Sequence, residues 1–320
     1  MYYNSFTDNV AGFGPLFKPL PEISWELTYF CNYHCSYCWQ KHDTKVKYRY
    51  PILSKVIQDL QQIRDRFELV LFGGEPTTHP DFIDLLSLAT VSLIADITVM
   101  TNNSQSLDWY KRMADRINQP SSIKFQMAYH YEKSNLSRFV ENVEFLLASG
   151  FLTHIILLCH RDNFDGVKQV YDCLSQVNAN EFDIIKVDDA KGVMVPYSEA
   201  YLQWIDDVTS RHMHYDNLSL NYYIDRTFAS QIIRSKYTYD QIYKFHESIR
   251  SLKGLKCKHD SFYIRQDGSF KTVCGLYENR NNIYFYQNFY SFYLAHLNET
   301  KICQYDTCVC DIHPESTKWR

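Results

Sequence analysis

"EISWELTYFCNYHCSYCWQ", residues 22–40, decides how the rest of the chain is read. Its first part, 22–29, reads as a strand. Three cysteines follow at once, Cys31, Cys35 and Cys38, spaced C-x3-C-x2-C. A strand that runs into a thiol-rich loop puts metal-binding chemistry at one end of a sheet. Three thiolates on a cube of four irons and four sulfurs leave one iron open, and that iron can bind something else. The alternative is zinc with a borrowed fourth ligand such as His34 or His42. Structural zinc sites usually join one C-x2-4-C pair to a second, distant pair, which is not the pattern here.

Outward from this stretch, strands and helices alternate. Strands are expected at 22–29, 68–72, 94–100, 122–129, 153–159 and 182–187. Helices are expected at 52–67, 80–90, 106–117, 135–150 and 164–177, with Ser106 as an N-cap and Gly150 as a stop. Strand alternating with helix implies an α/β fold with a parallel sheet and right-handed crossovers. Six units suit an open doubly wound sheet or an incomplete barrel. In both, function gathers at the carboxyl ends of the strands. After about residue 190 the pattern changes. Helices are expected at 198–211 and 238–252, and a hairpin over 261–277 turns at Asp267-Gly268. This divides the chain into an extension, 1–21, an α/β domain, 22–195, and a smaller α+β domain, 196–320.

The totals narrow the function. Of 320 residues, 45% are apolar, enough for a full core, and the net charge of -4 offers nothing to a polyanion. Nucleic acid is therefore a disfavoured partner. No apolar run reaches the roughly 20 residues that cross a bilayer. The first residues, "MYYNSFTDNVAGFGPLF", lack a basic region followed by an apolar one, so a cytoplasmic location is expected. In that reducing compartment ten cysteines point to metal binding or catalysis rather than disulfides.

The motif "CNYHCSYC", with Tyr37 just before the third cysteine, resembles the signature of the radical S-adenosylmethionine (SAM) superfamily. The second strand ends in Gly73-Gly74-Glu75-Pro76, similar to that family's GGEP motif, and the third in Thr101-Asn102-Asn103, close to its Thr-Asn-Gly. Asn103 departs from Gly but tolerates left-handed backbone. The fourth strand, "QMAYHYE", lacks the Ser-x-Asp-like pair that many members use for the ribose, leaving Gln126 or His130 for polar contacts. The resemblance implies a partial (β/α)6, TIM-like barrel. It implies a [4Fe-4S] cluster on Cys31, Cys35 and Cys38, with SAM chelated by the open iron. An electron from the cluster cleaves SAM to methionine and a 5'-deoxyadenosyl radical, which takes hydrogen from a substrate. Tyr37, Gly73, Gly74, Glu75, Pro76, Thr101 and Asn102 then become cofactor contacts, with Glu75 meeting the methionine amino group. A flavodoxin, ferredoxin or reductase would donate the electron, and a peptide or small metabolite would be the substrate. A non-enzymatic iron-sulfur or zinc module and an RNA-modifying enzyme are the alternatives.

Five further cysteines, Cys257, Cys274, Cys303, Cys308 and Cys310, lie in the last fifth of the chain. They resemble the ligands of twitch and SPASM extensions and imply one auxiliary [4Fe-4S] cluster with a thiol to spare. A zinc ribbon is the alternative. His130, His160 and Asp188 stand where strands end and are the candidate catalytic residues. Cys159 is expected to be a buried structural thiol, and the aromatic run 281–297 to be core.

Overall fold

The structure, a computed structural model, describes residues 10–15, 20–38, 50–187, 196–212, 222–228, 231–237, 253–258, 260–272, 278–279, 289–303 and 317–319. After β1 (Val10–Pro15) come β2 (Glu22–Thr28), α1 (Tyr50–Leu60), β3 (Phe67–Gly73), α2 (Phe82–Ser92), β4 (Ala95–Thr101), α3 (Leu107–Ala114) and β5 (Ile123–Tyr129). The alternation continues with α4 (Leu136–Ala148), β6 (Leu152–Cys159), α5 (Phe164–Leu174), β7 (Glu181–Lys186) and α6 (Glu199–His212). The remainder holds β8 (Tyr222–Phe228), β9 (Gln231–Tyr237), β10 (Lys256–Lys258), β11 (Ser261–Ile264), β12 (Phe270–Thr272), β13 (Glu278–Asn279), α7 (Phe289–His296), β14 (Thr300–Ile302) and β15 (Thr317–Trp319).

Strands β2 to β7 lie side by side in chain order and all pair parallel, as the alternation predicts. Register keeps one set of side chains on one face. Ser24 stands beside Val70, Val70 beside Thr98, and Thr98 beside Lys124. The intervening residues face the helices and are buried: Trp25, Leu69, Val99, Phe125 and Leu157. Each large apolar side chain removed from water there contributes roughly 1.5–3 kcal/mol. Two helix starts are built from side-chain caps, the first of them the expected one. Ser106 Oγ accepts the Trp109 amide, and Asn135 caps α4 by accepting the Arg138 amide at 3.0 Å. α1 is shorter than its pattern. It ends at Leu60, and Phe67 opens β3 because its wholly buried ring is claimed by the sheet.

The division near residue 195 is not where the sheets divide. β11 pairs parallel with β2, Phe262 beside Ile23, and β12 and β13 extend the large sheet to nine strands. The hairpin between β11 and β12 turns at Gly268, whose φ is 79°. A second sheet of six strands runs β14-β10-β15-β1-β8-β9, so β1 lies inside it, between β15 and β8. Val10–Pro15, within the expected extension 1–21, thus pair as part of a sheet. These strands are short or pair over long separations, and local periodicity carries little information about such pairing. The helix expected at 238–252 lies outside the described residues. α7 packs Phe289 and Tyr293 on Phe270 and Phe262, ring centroids 5.6 and 5.0 Å apart, so the described part of the aromatic run is core. Among the described residues no helix is long and apolar enough to cross a membrane.

Candidate active site

The cysteine loop leaves the carboxyl end of β2 and is pinned from three sides. The Tyr29 amide donates at 3.1 Å to Oε1 of the buried Gln266 from the β11–β12 turn. Asn32 Nδ2 donates to Ser104 Oγ at 2.8 Å, and the Ser36 amide donates to Glu132 at 2.9 Å. Cys31 is buried, while Cys35 and Cys38 are half-buried. Burial pushes the Cys31 thiol up to about 12 and the Cys35 thiol up to about 11. Each thiol would have to lose its proton to ligate a metal.

The Gly-Gly-Glu-Pro turn at the end of β3 is built against this loop. Gly74 donates its amide to the Thr28 carbonyl at 2.6 Å, and Glu75 donates its amide to the Phe30 carbonyl at 2.8 Å. A Cβ on Gly73 would overlap the Thr28 carbonyl oxygen, and one on Gly74 the Phe30 carbonyl oxygen. The glycines therefore let the β3 end lie against the strand feeding the cysteines. The close approach is to backbone as well as to the cavity. Pro76 opens a 3-10 turn, Pro76–Thr78, capped by Glu75.

Glu75 is buried, and its carboxylate takes four hydrogen bonds. Oε1 accepts from the Thr77 amide at 3.1 Å, Thr77 Oγ1 at 2.6 Å and Thr101 Oγ1 at 2.7 Å; Oε2 accepts from the Asn102 amide at 2.6 Å. Burial raises its proton affinity above the usual carboxylate range, and these donors oppose that rise. Asn102 in turn points Nδ2 at Cys31 Sγ, 3.9 Å away, and donates to Asn32 Oδ1 at 3.0 Å. Asn103 adopts φ 54°, the left-handed conformation expected of it in place of Gly.

His130, just after β5, sits against the loop. Its Nδ1 lies 3.1 Å from Tyr37 Oη and 3.5 Å from Cys35 Sγ. Burial lowers its proton affinity to about 4, so the ring is neutral. Tyr37 stacks on His130 and also meets Tyr131 and His160, centroids 6.3 and 5.9 Å away. His160 thus joins this ring group. Cys159 is wholly buried on the helix side among the core residues, as expected.

These groups share a cavity of about 560 Å³. Cys31, Cys35, Cys38 and Tyr37 line it with Gly73, Gly74, Glu75, Thr101 and Asn102. Gln126 and His130 stand further along its wall. Part of the wall is apolar, with Met100, Ala128, Ile156, Leu158 and Ile185, and Lys186 lies near the sheet edge. Sequence reasoning passed over these wall residues. Counting back by twos from the residue before each strand's last one marks all five apolar ones, since alternate residues share a face. Among the described residues no three His, Cys, Asp or Glu side chains converge on one point as ligands of a single ion do. The thiols line a common space instead. That donor set, in a space the size of a cofactor pocket, fits a cluster with SAM beside it.

Of the other expected residues, Asp188, Cys274, Cys308 and Cys310 lie outside the described residues. Cys257 on β10 and Cys303, just after β14, are buried, and the Cys303 amide donates to the Leu255 carbonyl at 2.8 Å. With Cys257 beside Lys301 in the register, the two cysteines are diagonal neighbours on one face.

Residues 25–174 match the Radical SAM superfamily. The chain is 22% identical over 170 residues to 7-carboxy-7-deazaguanine synthase of Clostridium acetobutylicum, covering 52% of this chain and 72% of that protein. In fold it is similar to Streptococcus suis SuiB bound to the precursor peptide SuiA, with TM-score 0.54 and 11% identity, covering 82% of this chain and 62% of that one. It is also similar to anSMEcpe with bound AdoMet and a peptide, with TM-score 0.51 and 14% identity over 79% of this chain and 74% of that one. The chain spans under two thirds of the length of SuiB. The cysteine loop and the Gly-Gly-Glu-Pro turn, which face one cavity, both lie within residues 25–174, the stretch of this chain that matches the radical SAM superfamily.

Proposed function

We propose that the chain reductively cleaves SAM at a [4Fe-4S] cluster held by Cys31, Cys35 and Cys38, and turns the radical on a peptide or small-metabolite substrate. The observation that carries this reading is the shared cavity. Three thiols, the Gly-Gly-Glu turn and Thr101-Asn102 reach it from three different strand ends. When bound, the cluster supplies the electron that cleaves SAM. The chain's own part is to hold and orient. Gly73, Gly74 and Pro76 shape the turn, and Tyr37, Thr101 and Asn102 flank the thiols. Glu75 holds the methionine end in shape, and an ammonium group there would share an oxygen that already accepts a hydrogen bond. The apolar wall receives the substrate. A peptide is favoured because two similar folds, SuiB and anSMEcpe, are described with peptides bound. His160 and Asp188 are candidates on the substrate side. A flavodoxin, ferredoxin or reductase supplies the electron, in a cytoplasmic setting.

The shared face of Cys257 and Cys303 supports a second reading, an auxiliary [4Fe-4S] cluster completed from Cys274, Cys308 and Cys310 in a twitch- or SPASM-like domain. One experiment tests both. The wild type and a C31A/C35A/C38A variant are reconstituted anaerobically, analysed for iron, and given dithionite and SAM. The wild type should hold about eight irons and form 5'-deoxyadenosine; the variant should hold about four and form none. 5'-Deoxyadenosine at the wild-type rate in the variant sinks the first assignment. A variant that returns iron-free with one zinc makes the second site a zinc ribbon.

A further inference from the structure

We propose that His130 and Tyr37 act as a hydrogen-bond pair on the Cys35 sulfur and raise the reduction potential of the cluster this loop holds. The inference rests on the cluster reading above and assigns His130 a place beside a ligand sulfur rather than beside substrate. Its Nδ1 faces both Cys35 Sγ at 3.5 Å and Tyr37 Oη at 3.1 Å, and Tyr37 Oη is itself within hydrogen-bonding reach of Cys35. Whichever of the two donates directly, the protons of a neutral imidazole and a phenol run toward one sulfur. An anionic sulfur beside Nδ1 favours the tautomer with its proton there.

The arrangement is held, not incidental. The His130 amide donates to Ser134 Oγ at 3.0 Å, and the His130 carbonyl accepts the Lys133 and Ser134 amides, so the turn after β5 is closed on itself. Glu132 from the same turn holds Ser36, the residue after Cys35, by its amide and hydroxyl. The Tyr33 ring meets the imidazole edge-on, centroids 5.9 Å apart. Ring and sulfur are therefore kept together by contacts that need no metal. Hydrogen bonds to ligand sulfurs stabilise the more negative, reduced cluster, and such neighbours set its potential. His130 is a positioning residue in this sense: it touches the ligand, not the reacting atoms.

The test reads a potential. Wild type, H130F, H130Q and Y37F are reconstituted and titrated with dithionite and mediators, without SAM. The paramagnetic signal of the reduced cluster is followed, identified as the one lost in C31A/C35A/C38A. H130F keeps the ring and removes the donor. It should make reduction about tenfold less favourable, a shift of about 59 mV downward for a one-electron couple. Y37F should shift the same way. H130Q restores an N–H and should return most of the potential. Unchanged iron content and unfolding midpoint separate tuning from damage. If H130F holds no iron, Y37F decides. Potentials unchanged in both variants overturn the proposal while leaving the cluster in place, whereas a signal that survives C31A/C35A/C38A overturns the cluster reading itself.

Discussion

Glu75 accepts backbone amides on both carboxylate oxygens, from Thr77 on one and from Asn102 on the other. It therefore ties the end of β3 to the end of β4 whatever fills the cavity. This sharpens what Glu75→Gln should do. An amide has one oxygen and one N–H-bearing nitrogen, so in either orientation one backbone N–H must face another N–H. Hydroxyls such as Thr101 can rotate to suit; backbone cannot. The substitution should destabilise the metal-free chain by about 1–3 kcal/mol, the cost of a buried polar group left unsatisfied. Urea unfolding measures it. Unchanged stability with weakened SAM binding would instead show that the carboxylate meets the ligand directly. The motif residues were legible one by one, because each has an identity its chemistry requires. Their partners were not: nothing local in "GGEP" says that its glutamate will be held by Thr101 and Asn102, 26 and 27 residues away.

α1 and α7 are joined through Asp59, whose Oδ2 accepts the Tyr290 amide at 2.8 Å in the first turn of α7, while Oδ1 accepts Gln62 Nε2 at 2.8 Å. A side chain from one helix thus satisfies a start-of-helix amide of another. Burial is the largest influence on this carboxyl and raises its proton affinity, against the lowering effect of the amides and Gln62. The folded state therefore binds the proton more tightly than the unfolded one. Stability from this group is full below the unfolded value, about 3.9, and is lost as pH rises through the raised folded value. Asp59→Asn keeps an acceptor for the Tyr290 amide and cannot titrate. Measured by urea unfolding between about pH 3.5 and 6, wild type should lose stability relative to the Asn variant as pH rises. A constant gap between them contradicts the assignment. The six parallel strands were readable to within a residue or two because each carries a strong apolar pattern bounded by turn signals. The end of α1 was misread because Ile63 and Phe67 prolong a helical spacing, although Phe67 packs as the first residue of β3.

Over the whole molecule, β1, the first described strand, lies inside a sheet otherwise built from β8, β9, β10, β14 and β15. β1 pairs with β15 through Gly12 and Phe13 and with β8 through Val10 to Pro15. Removing residues 1–15 takes a central strand out of the six-stranded sheet and leaves the nine-stranded one with all its strands. Hydrogen exchange should then show lost amide protection across 222–237 and retained protection across 67–159. Equal loss in both would mean the two sheets unfold as one unit.

The residue pattern alone determined the parallel αβ alternation and the thiol loop at the first strand's end, because these rest on short-range periodicity and on residue types that few chemistries require. Only the tertiary structure decided that β11 extends the large sheet beside β2, that β1 belongs to the second sheet, and that His130 faces Cys35. Those outcomes depend on strand pairings and side-chain contacts between residues roughly 95 to 300 positions apart. Such contacts are chosen by burial and hydrogen-bond satisfaction in the assembled fold, and no local stretch of the chain encodes them.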